Sequence, residues 1–430
     1  MDGAIFRTCA TAGAILLAAL PAAAHAATLR SGFETRTLAG GIKHVLDVSW
    51  APDGRLFAAS RLGQVYVVDP STGGKRKVVD ISSHVNSYSD RGLEGIAIDS
   101  DFAHNGYLWL LYVYEPNPKK RTDSGPRTSR LTRVTVHSDG SASRETVVLG
   151  KSNKTRCPTP KNASDCIPAD GESHMVGTVR SARDGTLWVG SGDGGTAERL
   201  DQRSLRAQDV RSYAGKILHV DRAGRGLPGH PFCRRKPGHD DLTRVCAKVF
   251  AKGLRNPYRF TFRPGGGLIA GDVGWSTQEE LDYVLAGRNY GWPCYEGGAG
   301  TAHGAKTPKW RDERACSGPH GMYALKGPRA PVAPFFSYLH HGNTAAIIGG
   351  PRFPGGAGYP DSYRGRIFFG DFMRGKISTY DPATRTTATF ATGVGAVDLE
   401  LAPDGRLAYA DIGDEAVREI VATEAAASRR

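Results

Sequence analysis

The stretch 177–193, which reads GTVRSARDGTLWVGSGD, decides the fold. Two runs of alternating apolar and polar residues flank the turn Arg183-Asp184-Gly185, and such alternation is typical of two strands joined as a hairpin. A third run of the same kind, GKILHVD, follows at 215–221. These residues therefore predict an antiparallel unit of at least three strands.

The same phrase recurs along the chain. An alternating run, a turn rich in Asp, Asn or Gly and a second alternating run also stand at 47–69, 94–114, 259–272, 349–381 and 398–411. Six such units, spaced widely enough for four strands each, predict an all-β, six-bladed β-propeller whose four-stranded antiparallel blades surround a central channel. A β-sandwich is the alternative, but one sandwich would not absorb six similar hairpins.

The first 26 residues are expected to be a secretory signal. Arg7 precedes the apolar run 10–20, and Ala24-His25-Ala26 is a small-x-small pattern that favours cleavage after Ala26. The run is shorter than the ~20 apolar residues that a membrane span needs. We therefore expect a secreted or periplasmic protein without a membrane span.

The remainder is expected to form one propeller over residues 27–423, followed by a flexible tail at 424–430. Its net charge of +13 comes from Lys and Arg scattered through turns rather than from a block. This pattern indicates a cationic surface suited to an anionic partner and argues against nucleic-acid binding.

The six cysteines that follow the signal are expected to form disulfides, because an even number in an exported chain is typical of them. They are Cys157, Cys166, Cys233, Cys246, Cys294 and Cys316. Fifteen pairings are possible, and the sequential one is favoured because each successive pair brackets a short polar insert. None has Cys-x-x-Cys spacing, which argues against a zinc site.

Four longer phrases resemble the soluble pyrroloquinoline quinone (PQQ)-dependent glucose and aldose sugar dehydrogenase family, a glucose/sorbosone dehydrogenase-like group. They are GLEGIAIDSDFAHNGYLWLLY at 92–112, SHMVGTVRSARDGTLWVGSGDGG at 173–195, the segment 253–293 from GLRNPYRF to NYGWP, and YRGRIFFGDFMRGKI at 363–377. The resemblance implies oxidation of an aldose at C1 to the lactone with PQQ and Ca²⁺. Electrons would pass to an external acceptor, a cytochrome or a quinone.

The register of the hairpin at 177–193 points to a catalytic pair. Counting outward equally from its turn sets His174 opposite Asp193, so both side chains are expected at one end of the hairpin. A carboxylate that orients an imidazole makes it a better general base. The resemblance assigns these two residues to the catalytic base and its orienting carboxylate, whereas a structural histidine bonded within a blade is the alternative.

Aligning the next blade with this one predicts a second set of site residues. Aligning Leu187 with Leu268 carries His174 onto Arg255, so Arg255 and Asn256 are expected at the same end of their blade. A guanidinium there can hold a quinone oxygen or carboxylates and stabilise developing negative charge. An arginine that merely bridges blades is the alternative.

The remaining site residues follow from the resemblance. It implies that the carbonyls of Gly274 and Trp275 hold the calcium that clamps the quinone, and that Glu280 and Tyr290 hold a second, structural calcium. It also places Asp90 near the substrate as a partner for a sugar hydroxyl. The alternatives are a surface-turn aspartate at Asp90, a solvated loop acid at Glu280, and packing of Tyr290 and Trp292 at a blade edge.

One departure from the family concerns the cofactor. Family members carry two arginines where this chain has Gly395 and Val397, and those arginines bind the carboxylates of the quinone. Arg352, Arg91 and Lys43 are available to replace them. Two other functions stay open: a cofactor-free extracellular binding propeller and a calcium-dependent sugar lactonase.

Overall fold

A computed structural model describes residues 27–158, 164–196, 198–233 and 241–423. The secretory signal predicted for residues 1–26 and the tail predicted for 424–430 lie outside the described residues. The described chain forms six antiparallel sheets around a ring, so the predicted six-bladed β-propeller is confirmed.

The strands follow the predicted units in chain order. The chain opens with β1 (Thr28–Leu29) and β2 (Phe33–Ala39). Blade 1 contains β3 (Val45–Trp50), β4 (Leu56–Ser60), β5 (Gln64–Val68) and β6 (Lys75–Asp80). Blade 2 contains β7 (Leu93–Ile98), β8 (Tyr107–Tyr114), β9 (Arg127–Thr135), β10 (Thr146–Leu149) and the short β11 (Ile167–Ala169). Blade 3 contains β12 (Val176–Ser181), β13 (Leu187–Ser191), β14 (Lys216–Val220) and β15 (Val249–Lys252).

The second half of the ring is built in the same way. Blade 4 contains β16 (Pro257–Phe262), β17 (Leu268–Asp272), β18 (Gln278–Val284) and β19 (Phe336–Leu339). Blade 5 contains β20 (Ile347–Arg352), β21 (Ile367–Asp371), β22 (Lys376–Asp381) and β23 (Thr386–Thr392), and β1 pairs with its outer edge. Blade 6 contains β24 (Ala396–Leu401), β25 (Leu407–Asp411) and β26 (Ala416–Ala422).

Helices are short and lie between strands. The α-helices are α1 (Phe102–Asn105), α2 (Val245–Lys248) and α3 (Arg314–Ser317). The 3-10 helices are Ser82–His84, Pro118–Lys120, Gln202–Gln208, Pro308–Trp310, Met322–Ala324, Gly327–Arg329 and Asp361–Tyr363. Among the described residues, none of the helices is long and apolar enough to cross a membrane.

The N-terminal segment closes the ring. Strand β2 supplies the fourth strand of blade 6 by pairing with β26, so that blade joins a strand near the start of the described chain to its last strand. Phe33 of β2 packs edge-on against Tyr359, Tyr363 and Phe390. This closure pairs an edge that would otherwise be open to other strands.

The innermost strands lie very close to one another around the channel. A side chain at Gly177 would place its Cβ 2.3 Å from the carbonyl oxygen of Tyr258 in the next blade, and one at Gly349 would lie 2.3 Å from that of Arg259. Outside this ring, apolar side chains fill the space between blades; Trp109 and Leu111 of blade 2, for example, share a core with Val189 of blade 3.

Two arginines span the channel itself. The fully buried Arg259 of β16 donates hydrogen bonds to the carbonyls of Leu46, Glu94 and Val397, at 2.8, 3.0 and 3.0 Å, and so reaches blades 1, 2 and 6. Arg180 of β12 forms ion pairs with acidic residues of blades 1 and 6, which are Asp47, Asp398 and Glu400. We call this set of side chains the channel hub.

The three disulfides pair the cysteines sequentially, as predicted. They join Cys157 to Cys166, Cys233 to Cys246, and Cys294 to Cys316. The last of these ties together the long connection between β18 and β19.

Candidate active site

The predicted catalytic pair meets at the end of the channel where β12 begins. His174 precedes β12 and Asp193 follows β13, and Nδ1 of His174 lies 3.4 Å from Oδ1 of Asp193. The hairpin register pairs Val176 with Ser191, which sets the two side chains at the same end. We call this end, where Asp90, His174 and Arg255 precede innermost strands, the upper rim.

Asp193 is anchored from several sides. Its carboxylate accepts hydrogen bonds from Oγ of Ser204 at 2.6 Å, Nε1 of Trp292 at 2.8 Å and the amide of Gly195 at 2.8 Å. Burial alone would raise the pKa of Asp193, but its contacts with His174, the charge of Arg255 and the Ser204 bond hold that pKa well below its usual range. Asp193 is therefore a fixed anion beside the imidazole.

His174 is a buried imidazole whose protonated form is disfavoured. Burial lowers its pKa, as does the charge of Arg255, and both effects outweigh the opposing contact with Asp193. The 3.4 Å separation from Asp193 is longer than a well-formed hydrogen bond, as is common for catalytic pairs without bound substrate. Nδ1 faces Asp193, so Nε2 is the ring nitrogen that points away from that carboxylate.

Arg255 lies beside this pair on the upper rim. Its carbonyl accepts a hydrogen bond from the amide of Asp193 at 2.8 Å, which couples blades 3 and 4. Nη1 of its guanidinium donates to the carbonyls of Val273 and Gly274, and the group lies 5.3 Å from the ring centroid of Trp292. Arg255 thus holds the loop after β17 and places a positive charge near His174.

Trp292 is a site residue that the sequence did not reveal as one. Its indole N–H donates to the carboxylate of Asp193, and its ring lies against the guanidinium of Arg255. Trp292 therefore contacts both the His174–Asp193 side and the Arg255 side of the site. It belongs to the phrase NYGWP, which was equally consistent with aromatic packing at a blade edge.

Asn256 is positioned through its backbone. Its amide and that of Arg255 both donate to the carboxylate of Asp272 at the end of β17. Its carbonyl accepts a hydrogen bond from the amide of Val273 at 3.0 Å. Asp272 therefore links the rim residues of β16 to the loop that follows β17.

The loop 273–278 carries Gly274 and Trp275, the two predicted carbonyl ligands. Its tight path requires glycine, because a Cβ at Gly274 would lie 1.7 Å from the carbonyl oxygen of Gln278 and 3.0 Å from Oε1 of Glu296. The ring of Trp275 lies 6.2 Å from that of Trp292, edge to face. The structure thus brings this loop to the upper rim together with Arg255.

Glu280 belongs to a buried acidic cluster. Oxygens of Asp272, Glu280 and Asp282 lie within 4.8 Å of one another on one face of the β17–β18 hairpin. Asp282 is 1% exposed, and both of its carboxylate oxygens lack a hydrogen-bond partner among the described residues. Burial and mutual repulsion raise the pKa of Glu280 and that of Asp282 well above their usual range. A bound cation would relieve both costs.

The Tyr290 hydroxyl is committed elsewhere. It donates to the carbonyl of Tyr283 at 2.6 Å and accepts from the amide of Leu285 at 3.0 Å. Any contribution of Tyr290 to a metal site would therefore come from its main-chain carbonyl, and the predicted pairing with Glu280 stays a prediction.

Asp90 lies on the upper rim, where its backbone adjoins the segment that leads to His174. Its amide faces the carbonyl of Glu172, two residues before His174, at 3.4 Å. Burial, with a smaller contribution from Glu172, raises its pKa to about 6 against the opposing charge of Arg61. Glu94, four residues further on, is fully buried below it with its pKa raised by burial to about 8.

Two of the three candidate replacement cations are bonded to carbonyls of the chain itself. Arg91 is fully buried and donates to the carbonyls of Gly171 and Ala169. Arg352 lies at the far end of β20, where it donates to the carbonyl of Gly365. Lys43 stands just before β3, at the same end as the upper rim, and its use as a replacement cation stays a prediction.

Comparison with known proteins gives a consistent result. The sequence model of the glucose/sorbosone dehydrogenase family matches residues 42–325. Quinoprotein glucose dehydrogenase B of Acinetobacter calcoaceticus is 23% identical over 279 residues, covering 62% of this chain and 53% of that protein. HIPL1 protein of Arabidopsis thaliana is 27% identical over 347 residues, covering 70% of this chain and 47% of that protein. The chain spans about half the length of these curated relatives.

A solved structure shares the architecture. The PQQ-bound aldose sugar dehydrogenase of Streptomyces coelicolor superposes with a TM-score of 0.62 at 19% identity, covering 92% of this chain and 99% of that one. At this identity the similarity establishes the common fold.

Proposed function

The chain belongs to the glucose/sorbosone dehydrogenase family, and on that premise we propose that it oxidises an aldose at C1 to the lactone. The observation that carries this proposal is the His174–Asp193 pair, which lies at 3.4 Å on the rim that also holds Arg255. A buried, neutral imidazole beside a fixed carboxylate and a guanidinium is suited to removing a hydroxyl proton while negative charge develops nearby.

The reaction breaks the O–H and C–H bonds at C1 and forms the carbonyl of the lactone. Nε2 of His174 takes the hydroxyl proton, and Asp193 stabilises the imidazolium that results. Arg255 stabilises the negative charge that builds on oxygen. When bound, PQQ supplies the two-electron acceptor that takes the hydride from C1.

The residues that would hold the quinone and its calcium are Arg255, Asn256, and the carbonyls of Gly274 and Trp275. Glycine at 274 allows the tight turn of this loop, and the Gly274 carbonyl lies beside the guanidinium of Arg255, which supports this assignment. The second calcium would bind at Glu280 with Asp272 and Asp282, because the buried and unpartnered carboxylate of Asp282 fits a hard cation. Asp90 would bind a sugar hydroxyl next to His174.

The electrons would leave to an external acceptor, a cytochrome or a quinone, and the net charge of +13 favours an anionic one. Three disulfides suit an oxidising compartment, which supports a secreted or periplasmic location for the propeller of residues 27–423.

The direct test is reconstitution of the protein with Ca²⁺ and an equimolar amount of PQQ, followed by dye reduction over a panel of aldoses. We expect the quinone to bind and at least one aldose to reduce the dye. Lactone hydrolysis without dye reduction would indicate a lactonase instead.

A second candidate function is an extracellular binding propeller without a cofactor. It is favoured by the absence of basic side chains at Gly395 and Val397, since Arg91 and Arg352 do not replace them. If the protein takes up no quinone in the reconstitution, this function replaces sugar oxidation.

Calcium is expected to stabilise the fold through the Asp272–Glu280–Asp282 cluster. A ligand that binds only the native state stabilises it by about 2.7 kcal/mol at a hundredfold excess over Kd. Urea unfolding in calcium and in chelator should therefore differ for the wild type. In Asp282→Asn the difference should shrink, and this variant should equal or exceed the wild type in chelator because one repelling charge is gone.

The matched control is Glu34→Gln, which removes the same charge from an exposed position on β2. It should respond to calcium as the wild type does. An unfolding midpoint that chelator leaves unchanged would contradict the structural calcium.

A further inference from the structure

Glu296 holds the loop 273–278 from below. Its Oε1 accepts hydrogen bonds from four consecutive amides, those of Trp275, Ser276, Thr277 and Gln278, at 2.8, 3.0, 2.9 and 3.2 Å. The residue is 3% exposed, and its Oε2 is buried without a hydrogen-bond partner in the part of the chain that the structure describes. A carboxylate bound by successive amides in this way occupies an anion nest made by the chain itself.

The backbone around Glu296 is itself fixed. Its amide donates to the carbonyl of Ala305 at 2.9 Å, and the next amide, that of Gly297, donates to Oε2 of Glu280 at 2.6 Å. The disulfide of Cys294 lies two residues upstream. Glu296 therefore approaches the loop from a rigid segment rather than from a free surface loop.

The nest fixes the direction of the carbonyls in the loop. In a planar trans peptide, the N–H of one residue and the C=O of the preceding residue point in opposite directions. Because the amides of Trp275 and Ser276 point at Glu296, the carbonyls of Gly274 and Trp275 must point away from it. The same holds for the two peptides that follow, so four carbonyls share one side of the loop.

The opposite side of the loop faces donors that agree with this direction. The carbonyl of Gly274 accepts from the guanidinium of Arg255, and that of Thr277 accepts from the amide of His340 at 2.9 Å. A row of aligned carbonyl dipoles is also what a hard cation such as Ca²⁺ requires.

We propose that Glu296 is a positioning residue whose carboxylate presets the carbonyls of Gly274 and Trp275 for a cation. The inference rests on the proposed function, because that function assigns a calcium to this loop. Oε1 of Glu296 bonds to the amides of the loop and not to the carbonyls that would hold the cation. It acts through the four amides, and its negative charge also complements the cation on the far side of the peptide planes.

The test is Glu296→Gln made in the full protein, in an Asp282→Asn background that removes the second cation site. Tb³⁺ serves as the probe, since its emission is sensitised by a nearby indole, and Trp275 lies in the loop. We expect the midpoint of the Tb³⁺ titration to rise by about 10–100-fold, the usual cost of losing a group that orients metal ligands. Glu34→Gln in the same background should leave the midpoint unchanged.

Amide hydrogen exchange gives a readout that needs no cation. In the wild type, the amides of residues 275–278 should be strongly protected, and Glu296→Gln should expose them while the strands β17 and β18 keep their protection. Loss of protection throughout blade 4 would instead make Glu296 a general structural residue and overturn the proposal.

The outcomes separate this inference from the proposed function. A wild type that binds Tb³⁺ at the loop but oxidises no aldose refutes sugar oxidation and leaves the role of Glu296 standing. Equal Tb³⁺ midpoints for the wild-type residue and Glu296→Gln, or no Tb³⁺ binding at the loop, overturn the inference whatever the activity.

Discussion

His174→Ala is expected to lower turnover by about 10²–10⁴-fold, which is the contribution of a positioned general base. The side chain faces Asp193 on the upper rim, so the blade itself should fold without it. The measurement is turnover in PQQ-saturated dye-reduction assays, together with direct quantification of bound quinone, which should not change.

The backbone at this position calls for a specific control. His174 has a φ of 58°, a conformation in which an alanine would be strained. His44, which precedes β3, has a similar φ of 50°. His44→Ala therefore carries the same backbone cost without removing the proposed base, and it should keep turnover near that of the wild type. His174→Asn is a second variant, because asparagine tolerates a positive φ better than alanine. If His174→Asn retains full turnover, His174 is not the base.

The pH dependence follows from the same residue. Because burial and Arg255 lower the pKa of His174 below 6.5, the acid limb of kcat/KM should lie below pH 6.5. At lower pH the imidazole is protonated and cannot accept the hydroxyl proton, so kcat/KM falls as pH falls. An acid limb above pH 6.5 would assign the base to another group.

Two further variants should fail in different ways. Asp193→Asn removes the anion that orients His174, so turnover should fall while bound quinone persists. Arg255→Ala removes the cation of the rim and loosens the loop at Gly274, so quinone retention should fall first. Identical loss of quinone in both variants would contradict the separate roles of base and clamp.

The fold was predictable because its signal is local and repeated. In each blade an alternating run, a turn and a second alternating run lie within about twenty residues, so one hairpin such as 177–193 reveals the pattern. Counting from the turn at Arg183-Asp184-Gly185 places His174 within one residue of the position opposite Asp193, and the shift in pairing between Val176 and Val179 brings the two into register.

The closure of the ring was not predictable in the same way. Strand β2 reads FETRTLA, and its partner β26 lies at the other end of the chain, as in the ion pair between Arg36 and Glu419, 383 residues apart. A pairing at that distance leaves no local pattern in the sequence.

The same reason explains the site residues that sequence analysis missed. Glu296 acts on a loop some twenty residues upstream, and Trp292 acts on Asp193 in another blade. Trp292 belongs to a phrase that could equally have been packing at a blade edge, and Glu296 lies outside the phrases quoted above. The sequence also suggested that Arg91 and Arg352 were available to bind the quinone. Their hydrogen bonds to the carbonyls of Gly171 and Gly365 form only in the folded chain, so the sequence could not show that these guanidinium groups were already in use.

Arg259→Met is expected to destabilise the propeller by about 3–5 kcal/mol, the usual result of removing one partner from a buried charge network. Arg259 is the part of the channel hub that binds the carbonyls of Leu46, Glu94 and Val397. Methionine fills similar volume but donates nothing, so three buried carbonyls lose a donor. Asp398, whose carboxylate lies 3.4 Å from Nε of Arg259, keeps only Arg180 as a cationic partner.

The measurement is the free energy of urea unfolding in excess calcium, with Arg352→Met as the matched control. Arg352 is an exposed arginine of the innermost strand of blade 5 and bonds only to the carbonyl of Gly365 among the described contacts. Its loss should stay within the ±0.5 kcal/mol that is ordinary for a surface position. If Arg259→Met falls within that same range, the hub does not hold the blades together, and ring closure then rests on β2 and on the packing between blades.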